Sequence, residues 1–391
     1  MKRIKILINL ATIGREGIPI AWLLKFKALE LLGCDICIFG SSFIKKLSFE
    51  NKDIYNFNDS IEELKKLPPN NYSQMYFIFH SLKRNFLSIF KLKNILHNDF
   101  DVLYSPSSVL DLLIIPYLAK LFNNKIIWVS IFDNTVPFTG SGNKIIRFLA
   151  WLFFRISLFL LKKCDKIFVI SLGLKNYLLN NGFRKDQVIQ STNGIENGLI
   201  EKANASDIYK IDALFVGRIN EAKGIYDMLE ILKLVKITYP NFQLAIMGDG
   251  DKITKDKFKE IIHKNNLAKN IQFLGFKTGL EKFNIMKSAK CFWFFSESES
   301  FGLSLLEAVC CGLQSFVYDL PPYKNIYSNN EIFVFKKNDF QTISNNITKV
   351  FDKKEFENKN GKLLLDKYSW DRISEIEFKE ISNFIEKRNL L

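Results

Sequence analysis

The chain has 391 residues, more than one hydrophobic core usually holds, and 48% of them are apolar; it reads as two well-packed domains and not as a disordered or repetitive protein. The formal net charge of +14 suits an anionic membrane, a phosphorylated substrate or nucleic acid. Neither a basic low-complexity tail nor a zinc-finger spacing accompanies it, so nucleic acid is not among the expected partners.

In chain order, Met1-Lys-Arg-Ile-Lys leads into an apolar run too short for the core of a signal peptide, and residues 4–10 read as a first strand of a cytoplasmic protein. A turn containing Gly14 and Gly17 precedes a helical pattern over 20–32. A second strand is expected at 35–39. Cys34 and Cys37 beside it have redox-motif spacing, but residues three apart in a strand face opposite sides, so the cysteines read as buried structural thiols. The stretch 77–96 sets Lys83, Arg84, Lys91 and Lys93 among apolar residues and is a basic amphipathic candidate. Further strands are expected at 101–105, 125–131 and 166–171, with a helix at 109–121.

Residues 144–163 (KIIRFLAWLFFRISLFLLKK) are long enough to span a bilayer, but Arg147 and Arg155 interrupt them at positions costly near a membrane centre. Two readings stay open: a helix on the membrane surface with its arginines reaching the headgroups, or a helix packed on the first sheet.

Periodicity lapses between Asn193-Gly194 and Asp212, where turn residues cluster and a linker is expected. A second series follows, with strands at 213–218, 242–248, 271–275, 291–296 and 315–319 and helices at 225–238 and 280–288. A last helix covers 369–387. Strands that are continuous apolar runs, alternating with helices, imply parallel sheets covered on both faces. The fold class is α/β, with two Rossmann-like domains facing a central cleft, at 1–190 and 191–368.

The densest chemistry begins in the strand pattern Cys-Phe-Trp-Phe-Phe-Ser at 291–296. An acidic turn containing Glu299 follows, then Phe-Gly-Leu-Ser-Leu-Leu-Glu-Ala-Val-Cys-Cys-Gly over 301–312. That helix is apolar nearly all round, and Glu307 is its only ionisable residue. A buried carboxylate needs donors: either the ribose hydroxyls of a nucleotide or a Lys or Arg elsewhere in the chain. The amides of Phe301, Gly302 and Leu303 stand at the helix N-terminus, where a diphosphate is favoured, and Gly302 permits close approach. Glu299, at the strand's end, can accept from sugar hydroxyls.

A second cluster, Phe-Val-Gly-Arg-Ile-Asn-Glu-Ala-Lys-Gly at 215–224, places Arg218 and Lys223 at another strand's C-terminal end. Arg218 can hold a diphosphate bidentately and Lys223 can add a mobile point charge.

Taken in order, Gly217-Arg218, Lys223-Gly224, Met247-Gly-Asp-Gly250, Phe273-Leu-Gly275, Glu299-x7-Glu307-Ala308 and Cys311-Gly312 resemble the retaining GT-B glycosyltransferases of family 4 (glycosyltransferase group 1). The resemblance covers 213–317 and continues more weakly through nearly the whole chain. It implies a nucleoside diphosphate sugar as co-substrate, UDP- or GDP-linked, with no essential metal. Arg218 and Lys223 are then on the diphosphate, Glu299 on the sugar, Glu307 on the ribose, and Gly248, Phe273 and Gly275 around the base. The terminal helix is implied to return to the first domain. Gly14 and Gly17 stand in for the family's glycine-rich loop.

Many members carry His-Asp after a middle strand of the first domain, where this chain has Phe132-Asp133. Asp133 remains a candidate polar group on the acceptor side, and Gln314 replaces a common proline. Asp249-Gly-Asp251 imitates a metal-binding Asp-x-Asp but reads as a turn. The candidate catalytic set is Glu299, Arg218, Lys223 and Asp133. The acceptor implied by family habit and by the basic, aromatic first half is a glycan or lipid-linked glycan of bacterial surface polysaccharide assembly, reached from the cytoplasmic face of the inner membrane. A sugar-nucleotide epimerase or phosphorylase of the same fold, and an idle basic membrane- or polyanion-binding protein, are the alternatives.

Overall fold

The computed structural model describes residues 3–10, 20–40, 56–57, 82, 85–86, 89–138, 144–327 and 331–389. The chain divides into two compact units, one made of Met1–Gly194 with Trp370–Leu391 and the other of Ile195–Ser369.

The first unit is built on a parallel sheet of seven strands: β1 (Ile4–Leu10), β2 (Cys34–Gly40), β3 (Asn56–Phe57), β4 (Val102–Ser105), β5 (Ile127–Phe132), β6 (Lys166–Val169) and β7 (Val188–Gln190). Their order is β3-β2-β1-β4-β5-β6-β7. All six residues of β5 are buried, which requires cover on both faces of the sheet. Aspartates pin the strand starts: Asp101 Oδ2 accepts the Lys5 amide at 2.8 Å and Asp165 Oδ2 accepts the Trp128 amide at 2.8 Å. β3 and β7 are too short to show periodicity, which is why the sequence pattern omits them. Cys34 is buried, and burial pushes its thiol up to about 12. Gly14 and Gly17 follow β1 and lie outside the described residues, as do Lys83 and Arg84 of the basic stretch 77–96.

The second unit carries six parallel strands: β8 (Ile211–Val216), β9 (Leu244–Met247), β10 (Ile271–Gly275), β11 (Ala289–Phe294), β12 (Gln314–Tyr318) and β13 (Phe333–Phe335). Their order is β10-β9-β8-β11-β12-β13. The first strand of this series lies inside the sheet, and the chain builds outward from it in both directions. The order therefore reverses between β8 and β11, and a doubly wound sheet opens its ligand crevice at the C-terminal ends of such a pair.

The last helix, Trp370–Asn389, completes the first unit. It is held by a buried charge: Glu377 Oε1 meets Lys25 Nζ at 2.5 Å, and Glu377 Oε2 accepts the Tyr104 hydroxyl at 2.7 Å. Ser191 Oγ adds a donor to Oε1 at 3.1 Å. Burial works against the Lys25 ammonium and lowers its pKa, and the Glu377 carboxylate opposes that shift. Gly194 is part of the same arrangement, because a Cβ there would sit 2.3 Å from the Trp370 indole.

Removing one member of a buried, hydrogen-bonded ion pair leaves the other uncompensated. Glu377→Ala should therefore lower the stability of the first unit by roughly 3–5 kcal/mol, read from native-state exchange of the β1 and β4 amides. A loss below about 1 kcal/mol, the scale of an exposed pair, would contradict a clasping role.

Candidate functional site

Two loops meet where the strand order reverses. The loop after β8, residues 217–224, tightens into a short turn at Glu221–Lys223 because Asn220 Oδ1 accepts the Lys223 amide at 3.1 Å. The turn ends at Gly224, whose φ of +70° lies in the left-handed region, and a Cβ there would come 2.1 Å from the Phe295 carbonyl oxygen. The loop after β11 closes on it through the Glu297 amide and the Ser296 hydroxyl, which donate to the Ala222 carbonyl at 2.9 and 3.2 Å. Only a glycine at 224 allows the two backbones to lie this close.

That contact brings Lys223 and Glu299 together in a half-buried ion pair, with the Lys223 ammonium 5.7 Å from the Phe294 ring centre. Arg218, on the same strand end, is exposed, and its guanidinium has no ion-pair partner among the described residues. The pair is thus neutral while a free cation stands beside it.

The helix Leu303–Cys310 starts next to this pair. Gly302 precedes it with φ +86°, and no side chain among the described residues caps its first amides. The helix therefore presents the positive end of its dipole uncovered. Tyr323, in the turn Pro321–Asn325, lies over Gly302: a Cβ at 302 would be 3.0 Å from its ring and 3.6 Å from its hydroxyl. The Tyr323 hydroxyl is buried and has no hydrogen-bond partner among the described residues. Burial, and then the nearby Glu299 charge, push its pKa well up, so it stays a neutral donor. A buried, unpartnered donor is costly and marks a place where an acceptor fits. The sequence carried no signal for Tyr323, one aromatic residue after two prolines in a chain rich in aromatics.

Glu307 is 4% exposed and is answered by a lysine: Lys282 Nζ, from helix Gly279–Ser288, lies 2.5 Å from Glu307 Oε1. Of the two partners the sequence left open, the free chain uses the cation. Glu196 joins this cluster; burial raises its pKa, the Lys282 charge opposes the shift and the Glu307 charge adds to it. The need of Glu307 for a partner was legible, but not which lysine among so many would supply it.

Gly248 has a packing reason to be glycine. Its φ is +152°, and a Cβ would fall 1.8 Å from the Gly217 carbonyl oxygen, so the ends of β8 and β9 touch backbone to backbone. Its amide donates to the Gly275 carbonyl at 2.9 Å, which ties in the end of β10. Phe273, two residues before Gly275 on β10, is partly exposed. Its ring meets Phe258 edge to face at 6.0 Å, and Lys259 lies 5.8 Å from it, which turns it onto helix Lys252–Lys264. Asp251 caps that helix through the Thr254 amide at 2.9 Å, and Asp249 pairs with Lys255 at 2.6 Å. The Asp-Gly-Asp segment is a turn and a cap.

In the first unit Asp133 follows β5. Its two oxygens accept the hydroxyls of Ser107 and Ser108, from the loop after β4, at 2.8 and 3.0 Å. The preceding Phe132 is fully buried and stacks on Tyr177 at 6.1 Å, so its ring belongs to the core. Asp133 is a hydrogen-bonded strand-end carboxylate, and no imidazole bonds to it among the described residues.

Residues 199–362 match the family model "Glycosyl transferases group 1", a span that contains Arg218, Lys223, Glu299 and Glu307. Over this segment the chain is similar to that family. An uncharacterized glycosyltransferase of Methanocaldococcus jannaschii is 29% identical over 229 residues, 56% of this chain and 52% of the relative. The chain thus spans about half the length of that curated relative. The phosphatidyl-myo-inositol mannosyltransferase of Mycobacterium tuberculosis is 29% identical over 149 residues, 37% of this chain and 38% of the relative. Among solved structures, Anabaena HepE in complex with UDP and glucose superposes with a TM-score of 0.71 at 14% identity, covering 97% of this chain and 100% of that one. Sucrose-phosphate synthase from Thermosynechococcus elongatus gives 0.74 at 16% identity, covering 98% and 100%. At these identities the likeness is one of fold, and that fold is GT-B.

The Lys282–Glu307 pair generates a test. Lys282→Met should destabilise the second unit by roughly 3 kcal/mol, and Glu307→Gln added to it should restore a large part of the loss. Additive losses in the double variant, measured by urea unfolding, would show that the two side chains do not interact.

Proposed function

We propose that the chain transfers a sugar from a nucleoside diphosphate to a hydroxyl acceptor, with retention at the anomeric carbon. The observation that carries this reading is the constellation at the β8/β11 switch point: a free Arg218, a Lys223–Glu299 pair, an uncapped helix N-terminus and an unpartnered Tyr323 hydroxyl. It offers cations and donors for a diphosphate beside a carboxylate for sugar hydroxyls.

In this reading, departure of the diphosphate takes the electron pair of the bond between the anomeric carbon and the phosphate oxygen. Arg218, Lys223, Tyr323 and the amides of Phe301, Gly302 and Leu303 stabilise the charge that collects there. Arrival of the donor separates the Lys223–Glu299 pair, the ammonium going to phosphate and the carboxylate to sugar hydroxyls. The acceptor hydroxyl attacks from the face the diphosphate leaves, and its proton passes to a phosphate oxygen. No pair of carboxylates is required, unlike glycoside hydrolysis. Glu307, held by Lys282 on one oxygen, keeps the other for a ribose hydroxyl. Gly248 and Gly275 shape the edge where the base rests.

The protein-held cations supply the charge that a metal would otherwise bring, so the reaction proceeds without one. The nucleotide is uridine or guanosine diphosphate; UDP in the HepE structure supports the first, and the Xanthomonas campestris relative named for GDP-mannose supports the second. The first unit takes the acceptor, with Asp133 as a hydrogen-bonding group and not as a base. Relatives named for phosphatidyl-myo-inositol and for a diphosphopolyprenol support a lipid-linked acceptor, as in surface polysaccharide assembly on the cytoplasmic side of a membrane.

With a sugar-labelled donor, the label should move to an acceptor while nucleoside diphosphate is released. Arg218→Ala and Lys223→Ala should each lower kcat/KM about a hundredfold or more, with the fold intact by circular dichroism. Tyr323→Phe, which keeps the ring, should cost about tenfold. Near-wild-type turnover in the Arg218 and Lys223 variants would sink the proposal. Turnover should also survive a chelator; loss reversed by Mn²⁺ would refute the metal-free step.

A further inference from the structure

The helix Lys144–Leu161 carries an unusual surface. Its C-terminal half packs into the first unit through Phe154, Ser157, Leu158, Leu160 and Leu161, whereas nothing between 144 and 153 is buried. The outward face is apolar. Ile145, Phe148, Ile156 and Phe159 are 68%, 47%, 38% and 66% exposed, and with Leu152 they recur every three or four residues along one stripe. Phe138 is exposed too and meets Trp151 edge to face at 5.3 Å, widening the aromatic area. Contiguous apolar surface of this kind on a folded protein marks a contact.

The charges beside the stripe all have one sign. Lys144, Arg155 and Lys162 fall at spacings of eleven and seven, along one flank, and Lys163 follows in the turn just past the helix end; each is exposed. The span 144–163 contains no Asp or Glu. Among the described residues no helix is long and apolar enough to cross a membrane.

We infer that this helix lies on an anionic lipid surface, with Ile145, Phe148, Ile156 and Phe159 among the acyl chains and the lysines and Arg155 at the lipid phosphates. An interfacial helix needs an exposed apolar stripe and flanking cations, and its Phe and Trp residues suit the headgroup boundary. A second copy of the chain fits poorly. Stripe-to-stripe pairing would bring the basic flanks of two helices together, with no carboxylate on either to answer them. The inference stands on this helix alone and does not depend on the reaction proposed above.

The test is co-sedimentation of the full chain with vesicles of pure phosphatidylcholine and of an equal mixture of phosphatidylcholine and phosphatidylglycerol. The protein should pellet with the anionic vesicles at low salt and be released as salt rises. Phe148→Ser with Phe159→Ser, and separately Arg155→Glu with Lys162→Glu, should each weaken partition at least about tenfold. Both double variants should keep wild-type melting temperatures and nucleoside diphosphate binding, since no altered residue touches the donor site. The inference is overturned if the wild-type chain fails to bind anionic vesicles at low salt, or if both variants bind undiminished. A fall in solution mass caused by the Phe variants, without a change in lipid binding, would assign the face to a second copy and overturn it equally.

Discussion

The backbone of Gly224 lies against the carbonyl of Phe295 with no room for a Cβ, and the rest of the donor-side geometry depends on that contact. It joins the loops that leave β8 and β11, two neighbouring strands whose successors run in opposite directions across the sheet. Because the loops touch, a lysine from one and a glutamate from the other form a pair at the mouth of the crevice. The helix that begins three residues after Ser300 then delivers its uncapped N-terminus to the same place. Sheet topology chooses the location, a glycine permits the approach, and the side chains supply the charge.

This arrangement also accounts for how a basic protein holds its cations near a carboxylate without wasting them. Lys223 and Glu299 neutralise one another, and Lys282 neutralises Glu307, so two cation–carboxylate pairs stand ready to exchange partners. Among the described residues Arg218, exposed and without an ion-pair partner, is open to an incoming anion. A site built from paired charges is electrostatically quiet on its own, and in the proposed reaction a ligand carrying both phosphates and hydroxyls would separate the partners and engage each. The positive charge elsewhere serves a different surface: along helix Lys144–Leu161 it flanks exposed aromatic and aliphatic residues, in the first unit.

Much of this was legible in the amino-acid order, for a physical reason. Strands buried on both faces are written as unbroken apolar runs, so β1, β8 and β11 announce themselves, and the residues at their ends are then fixed on the ligand side. The positions of Arg218, Lys223 and Glu299 in the loops after β8 and β11 were legible that way. What the order concealed was which long side chains would meet. Nothing in a lysine-rich helix singles out Lys282 as the partner of Glu307, and nothing in Pro-Pro-Tyr singles out a hydroxyl lying over Gly302. Phe273 shows the same limit: its place in β10 was visible, but not the edge-to-face contact of its ring with Phe258. The short edge strands β3, β7 and β13 have too few residues for any period to appear.

The central claim is that the β8/β11 crevice is a diphosphate site. Calorimetric titration of uridine and guanosine, each as the nucleoside and as the diphosphate, into the wild-type chain and the Arg218→Ala variant tests it most directly. One diphosphate should bind the wild-type chain at a single site, at least about tenfold more tightly than its nucleoside, and that preference should disappear in the variant. A chain that binds neither diphosphate, or binds the bare nucleoside equally well, would contradict the account.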